Sequence, residues 1–185
     1  MRLFIAIEIP DDLIRMIVKL RADIPGARWV PAEQIHLTLA FLGEVDEGAV
    51  ELLCKRLARI KHSAFTLCFS GTGFFFGHRR PRALWIGLAP EPHLDKLAAR
   101  VRAAVQTSGI HQEERPFSPH ITLARLKLSA SRETDAFLDQ NSRVYLPPFP
   151  VREFTLFKSQ LTPQGAVHTA LINFPLKYAA ANGEL

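Results

Sequence analysis

The sequence is poor in cysteine, with two among 185 residues. Two cysteines cannot build a disulfide framework, and Cys54 and Cys68 form no CxxC pair. One lies in a helical pattern and the other in a strand pattern, and both read as packing residues of a reducing compartment. Long apolar runs are also missing. The first, Leu3 to Ile7, is stopped by Glu8, Pro10, Asp11 and Asp12, which fits neither a secretion signal nor a membrane span. No other stretch reaches membrane length, so a cytoplasmic protein with no membrane partner is expected. Low-complexity segments, long linkers and heptad runs are absent. What remains is ordinary. The chain is 48% hydrophobic and 22% charged, enough to bury a core and too apolar for a disordered chain. Its length fits one domain, or one domain of two similar lobes. Lysine and arginine exceed aspartate and glutamate by 23 to 18, a net charge of +5. That suits an anionic partner such as nucleic acid without establishing one.

Periodicity predicts strands at Arg2–Glu8, Arg28–Val30, Gln34–Phe41, Phe65–Ser70, Phe74–Phe76, Ala83–Leu88, Ile121–Leu126, Phe154–Leu161 and Ala166–Phe174. It predicts helices at Asp11–Ala22, Glu47–Ile60, Pro92–Gln106 and Glu133–Asp139. Thr162-Pro163-Gln164-Gly165 reads as the turn of a hairpin. Strands and helices mix without strict βαβ alternation. The expected class is α+β, with mostly antiparallel sheets and helices on one face of each.

One short repeat stands out. His36-Leu37-Thr38-Leu39-Ala40 recurs as His120-Ile121-Thr122-Leu123-Ala124, 84 positions later (120 − 36 = 84). In a strand, residues i and i+2 share a face. Each motif therefore presents an imidazole and a hydroxyl on one side and aliphatic side chains on the other. A single histidine beside a threonine is usually a packed or surface residue. Packing alone does not ask for the same polar face twice. Two histidines without Asp, Glu or Cys at fixed offsets make a poor zinc site.

Two imidazoles that titrate near neutral pH can divide proton acceptance and proton donation between them. That suits in-line displacement at phosphorus, where a base is needed at entry and an acid at exit. The threonine hydroxyls can donate to the non-bridging oxygens, where charge gathers. Side chains that handle both proton transfers leave no step that requires a metal. Ser118 precedes Pro119-His120 but has no acidic partner in the pattern, which argues against acyl transfer.

These motifs resemble the paired HxTx signature of the two-histidine (2H) phosphoesterases. More narrowly, the chain is similar to the RNA 2′,3′-cyclic phosphodiesterase branch, also called 2′-5′ RNA ligase. The similarity extends through Arg2-Leu3-Phe4-Ile5-Ala6-Ile7, Trp29-Val30, Phe41-Leu42-Gly43, Pro81-Arg82-Ala83-Leu84-Trp85-Ile86-Gly87, Phe117-Ser118-Pro119-His120 and Ala124-Arg125. The resemblance implies a single bilobal α+β domain over residues 1–185, with two pseudo-symmetric antiparallel sheets around a central cleft and helices outside. It implies hydrolysis of RNA or nucleoside 2′,3′-cyclic phosphates to 2′-phosphomonoesters, with reversible 2′-5′ joining of tRNA halves as a further activity. By motif position His36 matches the proton donor, His120 the proton acceptor, and Thr38 and Thr122 the phosphate-binding hydroxyls. No cofactor is implied, and a monomer is expected.

Arg125 joins the expected phosphate ligands on one condition. Strict alternation sets it opposite His120 and Thr122, so the strand must end or bulge there for its guanidinium to reach the cleft. Arg79, Arg80 and Arg82 form a basic run that reads as an RNA-backbone contact or as a solvated loop. Phe74-Phe75-Phe76 reads as core, with one ring under a base as the other option. His62, His78, His93, His111 and His168 lack the repeated setting and receive no role.

Overall fold

The computed structural model describes residues 1–76, 81–112, 116–127, 132–163 and 165–177, and not the side chains of Phe76, Pro81 and Arg82. The strands are β1 (Arg2–Glu8), β2 (Ala27–Trp29), β3 (His36–Glu44), β4 (Phe65–Leu67), β5 (Phe69–Phe76), β6 (Pro81–Leu88), β7 (His120–Leu126), β8 (Phe149–Val151), β9 (Glu153–Thr162) and β10 (Gly165–Pro175). The helices are α1 (Asp11–Val18), α2 (Glu47–Leu57), α3 (Pro92–Thr107) and α4 (Arg132–Gln140). The class is α+β, in two lobes.

One strand, β8, lies in a proline-punctuated stretch where none was expected, and the strands expected at 65–70 and 74–76 divide instead as β4 and β5; the other differences sit at boundaries. Helix α1 ends at Val18, four residues before Ala22, and residues 32–34 form a single 3-10 turn where the strand of the first motif was expected to begin. Of the apolar face expected for α2, Leu53 and Leu57 are sealed while Val50 and Ile60 are only partly buried. Cys54 packs against the core, but Cys68 is exposed. It lies between β4 and β5, where the chain passes from one sheet to another, so it is not a packing residue.

One lobe orders its strands β10-β9-β1-β3, and the other β7-β6-β5 with β2 along the outer half of β7. All these ladders are antiparallel. The lobes meet where β3 and β7 pair at Leu37↔Ile121, the residues between histidine and threonine in the two repeated motifs. Both side chains are fully buried, each worth about 1.5–3 kcal/mol of transfer free energy. The small β4–β8 ladder has Thr66 opposite Pro150, a pair with the same 84-residue offset. One pseudo-two-fold axis therefore relates both contacts. The repeats also exchange their ends: β5, from the first half, pairs with β6, while β9, from the second half, pairs with β1.

A continuous core lies on the outer face of the sheets. It joins Leu3, Ile5, Ile7, Leu37 and Leu39 to Leu84, Ile86 and Ile121, and is roofed by Leu53 and Leu57 of α2 and Leu94, Leu97, Val101 and Val105 of α3. Helix α3 starts cleanly because Glu91 caps the His93 amide at 3.0 Å and Pro92 takes the first helical position. A second, separate cluster of Phe4, Ala6 and Phe157 lies on the opposite, inner face. Strand β1 is thus apolar on both sides, which explains its unbroken hydrophobic sequence.

Candidate active site

The inner face is where the two motifs converge. Burial along β3 and β7 runs in parallel: His36 and His120 half-buried, Leu37 and Ile121 buried, Thr38 and Thr122 half-buried, then two buried residues and an exposed one. Extending the Leu37↔Ile121 register by one step sets His36 beside Thr122 and Thr38 beside His120, on one face. All four side chains named from the sequence come together there.

Each strand carries a bulge after its threonine. On β3 the register passes from Ala6↔Thr38 to Ile5↔Ala40, leaving Leu39 as the extra residue. On β7 it passes from Trp85↔Thr122 to Leu84↔Ala124, leaving Leu123 extra. A bulge of this kind resets alternation. Phe41 then lies opposite Phe4, and Arg125 opposite Ala83. Both return to the face of the histidines, and both are exposed. The condition set for Arg125 is met by the bulge.

The histidines are held from behind by backbone. His120 Nδ1 lies 2.8 Å from the Ser118 carbonyl oxygen. A carbonyl only accepts, so Nδ1 carries the proton in the neutral ring and Nε2 keeps its lone pair. His36 is bonded in the same way to the backbone of Gln34, again two residues earlier. Ser118, read above as no nucleophile, contributes its carbonyl. Burial lowers the pKa of both rings, and each backbone bond offsets part of that. For His36 the sum of burial, His168 and His120 brings it to about 4. Both rings are therefore mainly neutral at pH 7, each with a lone pair on Nε2.

Aromatic rings frame the two imidazoles differently. Phe4 touches His36 at a centroid distance of 4.8 Å and stacks on Phe157 at 5.0 Å. His168, on β10, lies 4.7 Å from Phe4 and 5.4 Å from His36. Sequence reasoning gave His168 no role because it lacks the motif; only the pairing of β10 with β9 brings it here. Across the cleft Phe75 meets His120 edge-on at 4.6 Å and Trp85 at 5.5 Å. Phe74 packs against the core, so within the Phe74–Phe76 run alternation gives one ring to each side. Trp85 lies over Gly73 and Gly87. A Cβ on Gly73 would sit 2.3 Å from the indole ring, so only glycine fits beneath it. Trp29, by contrast, packs on Phe137 of α4 and is structural.

Arg79 and Arg80 lie outside the described residues, as do His78 and the Arg82 side chain, so the basic run is not placed. A recess of about 580 Å³ at the far end of β1 has three carboxylates, Glu8, Asp11 and Glu153, and one cation, Arg152, among its lining residues. Burial and the neighbouring carboxylates raise Glu8's pKa there, which makes it a poor seat for phosphate. Among the described residues no group of three or more His, Cys, Asp or Glu is arranged to hold a metal ion, and no helix is long and apolar enough to cross a membrane.

Comparison with known proteins agrees with this duplicated arrangement. The family model described as LigT-like phosphoesterase matches twice, over residues 6–85 and 86–168. The RNA 2′,3′-cyclic phosphodiesterase of Escherichia coli (strain K12) is 35% identical over 185 residues, covering 95% of this chain and 96% of the relative. That of Archaeoglobus fulgidus is 32% identical over 174 residues, covering 92% and 98%. The crystal structure of E. coli LigT in apo form superposes with a TM-score of 0.78 at 33% identity, covering 95% of this chain and 97% of that one. The same protein has been crystallised with 3′-AMP. A sheet pair joined at its two histidine motifs, matched half by half, makes this chain a member of the LigT-like phosphoesterase family.

Proposed function

We propose that the protein hydrolyses RNA or nucleoside 2′,3′-cyclic phosphates to 2′-phosphomonoesters by acid–base catalysis between His36 and His120. The observation that carries this is the face-to-face setting of the two His-x-Thr strands, centred on Leu37↔Ile121. Relatives that cover nearly the whole chain bear the name of this activity. In the reaction His120 Nε2 takes a proton from water as its oxygen attacks phosphorus. The P–O3′ bond breaks on the opposite side, and His36 gives its proton to the departing oxygen. Thr38 and Thr122 donate to the non-bridging oxygens of the reacting phosphate, and Arg125, on the same face beyond the bulge, contacts the phosphate backbone of the substrate.

His36 must be protonated to act as the acid, whereas burial and His168 favour its neutral form. The anionic phosphate supplies the missing stabilisation of its charged form. With a 5′-hydroxyl in place of water the same displacement, which again breaks P–O3′, joins a 2′,3′-cyclic end through a 2′-5′ linkage, as needed to join tRNA halves, and its reverse cleaves that linkage. Both half-sites come from one chain, so a monomer suffices. The reaction as written routes no step through a metal.

The test is incubation with 2′,3′-cyclic AMP in the presence of chelator, followed by phosphorus NMR. The expected product is 2′-AMP, with a bell-shaped pH dependence whose apparent pKa values belong to the coupled pair. Unchanged substrate would mean a binding module rather than an enzyme. Predominant 3′-AMP would reverse the assignment of acid and base.

A further inference from the structure

The register of β2 on β7 sets Arg28 directly opposite Arg125. Ladder partners share a face. Arg125 lies on the inner face with His120 and Thr122, so Arg28 lies there as well. The neighbouring Trp29 points the other way, packing on Phe137 and the core. Both arginines are exposed. Like charges directly opposite each other weaken a ladder. No carboxylate among the described residues pairs with either guanidinium. The protein thus carries an uncompensated pair of cations at the mouth of its cleft, an arrangement that an anion between them would relieve.

The position of the pair is as informative as its charge. Arg125 is opposite Ala83 and Thr122 opposite Trp85, two residues apart on β6. Two strand residues span about 6.7 Å, which is of the order of one backbone repeat of a nucleic-acid strand. A cyclic phosphate at the threonines has its next phosphate one ribose away, on the 5′ side. We propose that Arg28 and Arg125 form a second phosphate subsite, which takes the phosphodiester 5′ to the terminal nucleotide and so favours RNA ends over free cyclic nucleotides. This rests on the reading of the reaction above. Arg28 is the new member: it belongs to no repeated motif, and β2 has no role in the proton chemistry.

The experiment compares a dinucleotide ending in a 2′,3′-cyclic phosphate with 2′,3′-cyclic AMP, which has no 5′ phosphate. A 5′-phosphorylated 2′,3′-cyclic AMP is the third arm. In Arg28→Ala the preference in kcat/KM for the dinucleotide over 2′,3′-cyclic AMP should fall about tenfold, as for loss of one charged hydrogen-bonded contact. The salt dependence of log kcat/KM for the dinucleotide should become shallower by about 0.7, as for one released counterion on a single strand. Arg28→Lys, which keeps the charge but not the fork, should keep the salt slope and lose part of the preference. The 5′-phosphorylated nucleotide should follow the dinucleotide, because both place a phosphate there. An unchanged preference in Arg28→Ala would overturn the subsite, as would equal losses on all three substrates. Wild-type protein inert on every substrate would instead remove the reading of the reaction. The subsite is then decided by calorimetric binding of the dinucleotide 2′-phosphate, which Arg28→Ala should weaken about tenfold.

Discussion

The two half-sites share a motif, a bulge and a burial pattern, yet they are furnished differently. On the β3 side His36 rests on Phe4, with His168 next to it and the exposed ring of Phe41 beyond the bulge. On the β7 side His120 meets Phe75 and faces a wall of Trp85, with Arg125 at the place of Phe41. Opposite Thr38 stands Ala6; opposite Thr122 stands Trp85. In the proposed reaction the duplicated frame supplies the two proton-transfer groups, one on each side of phosphorus. The unequal furniture gives the cleft a direction, which an asymmetric ribose requires.

The harshest test of equivalence is removal of either imidazole. His36→Ala and His120→Ala should each cut turnover by about 10² or more while nucleotide binding persists. Steady-state kinetics with calorimetric binding of 2′-AMP checks both, and near-normal turnover in either variant would break the pairing. The second test is stability against pH. The His36 pKa is near 4 in the folded chain and about 6.5 when unfolded. Between those values the unfolded state binds more protons, so stability is lost as pH falls from about 6.5 towards 4. The loss from this group is on the order of 2 kcal/mol, allowing for partial exposure. Urea midpoints across that range should drop in the wild type and drop less in His36→Gln.

Smaller effects sharpen the comparison. Thr38→Ala and Thr122→Ala should each lower kcat/KM about tenfold without changing the product, because in the proposed reaction the hydroxyls hold the phosphate and not the sugar. A change from 2′-AMP to 3′-AMP in either variant would show that a threonine orients the ribose. Last, His168→Phe keeps a ring against Phe4 but removes a competing cation beside His36. The midpoint of the His36 ring-proton NMR titration should rise by roughly half a pH unit. Removal of His120 should raise it less, because its charge weighs less on His36 than that of His168.

Much of this was legible in the sequence, and the limits have physical causes. The paired histidines and threonines are legible because strand alternation and a repeat with four identities in five residues are local signals. The fold class and most strands follow from periodicity for the same reason; β8 does not, because three residues with a proline at their centre carry no periodic signal. Arg125 was ambiguous because a bulge is a property of two strands in register, and no feature of Ala124-Arg125 announces it. His168, Phe4 and Arg28 were not assigned to the site, since each gains its place from a partner strand far away in sequence. Cys68 was misjudged because a strand pattern was extended across a change of sheet.

The exchanged end strands bear on what happens if the chain is cut. A single break between β5 and β6 separates the repeats covalently, but each fragment keeps a strand lodged in the other's sheet. The cut molecule should migrate as one particle under native conditions and fall into two pieces only in denaturant. Neither fragment alone can assemble a complete lobe, so the architecture offers no route to an independent half-enzyme without a second piece to lend it a strand.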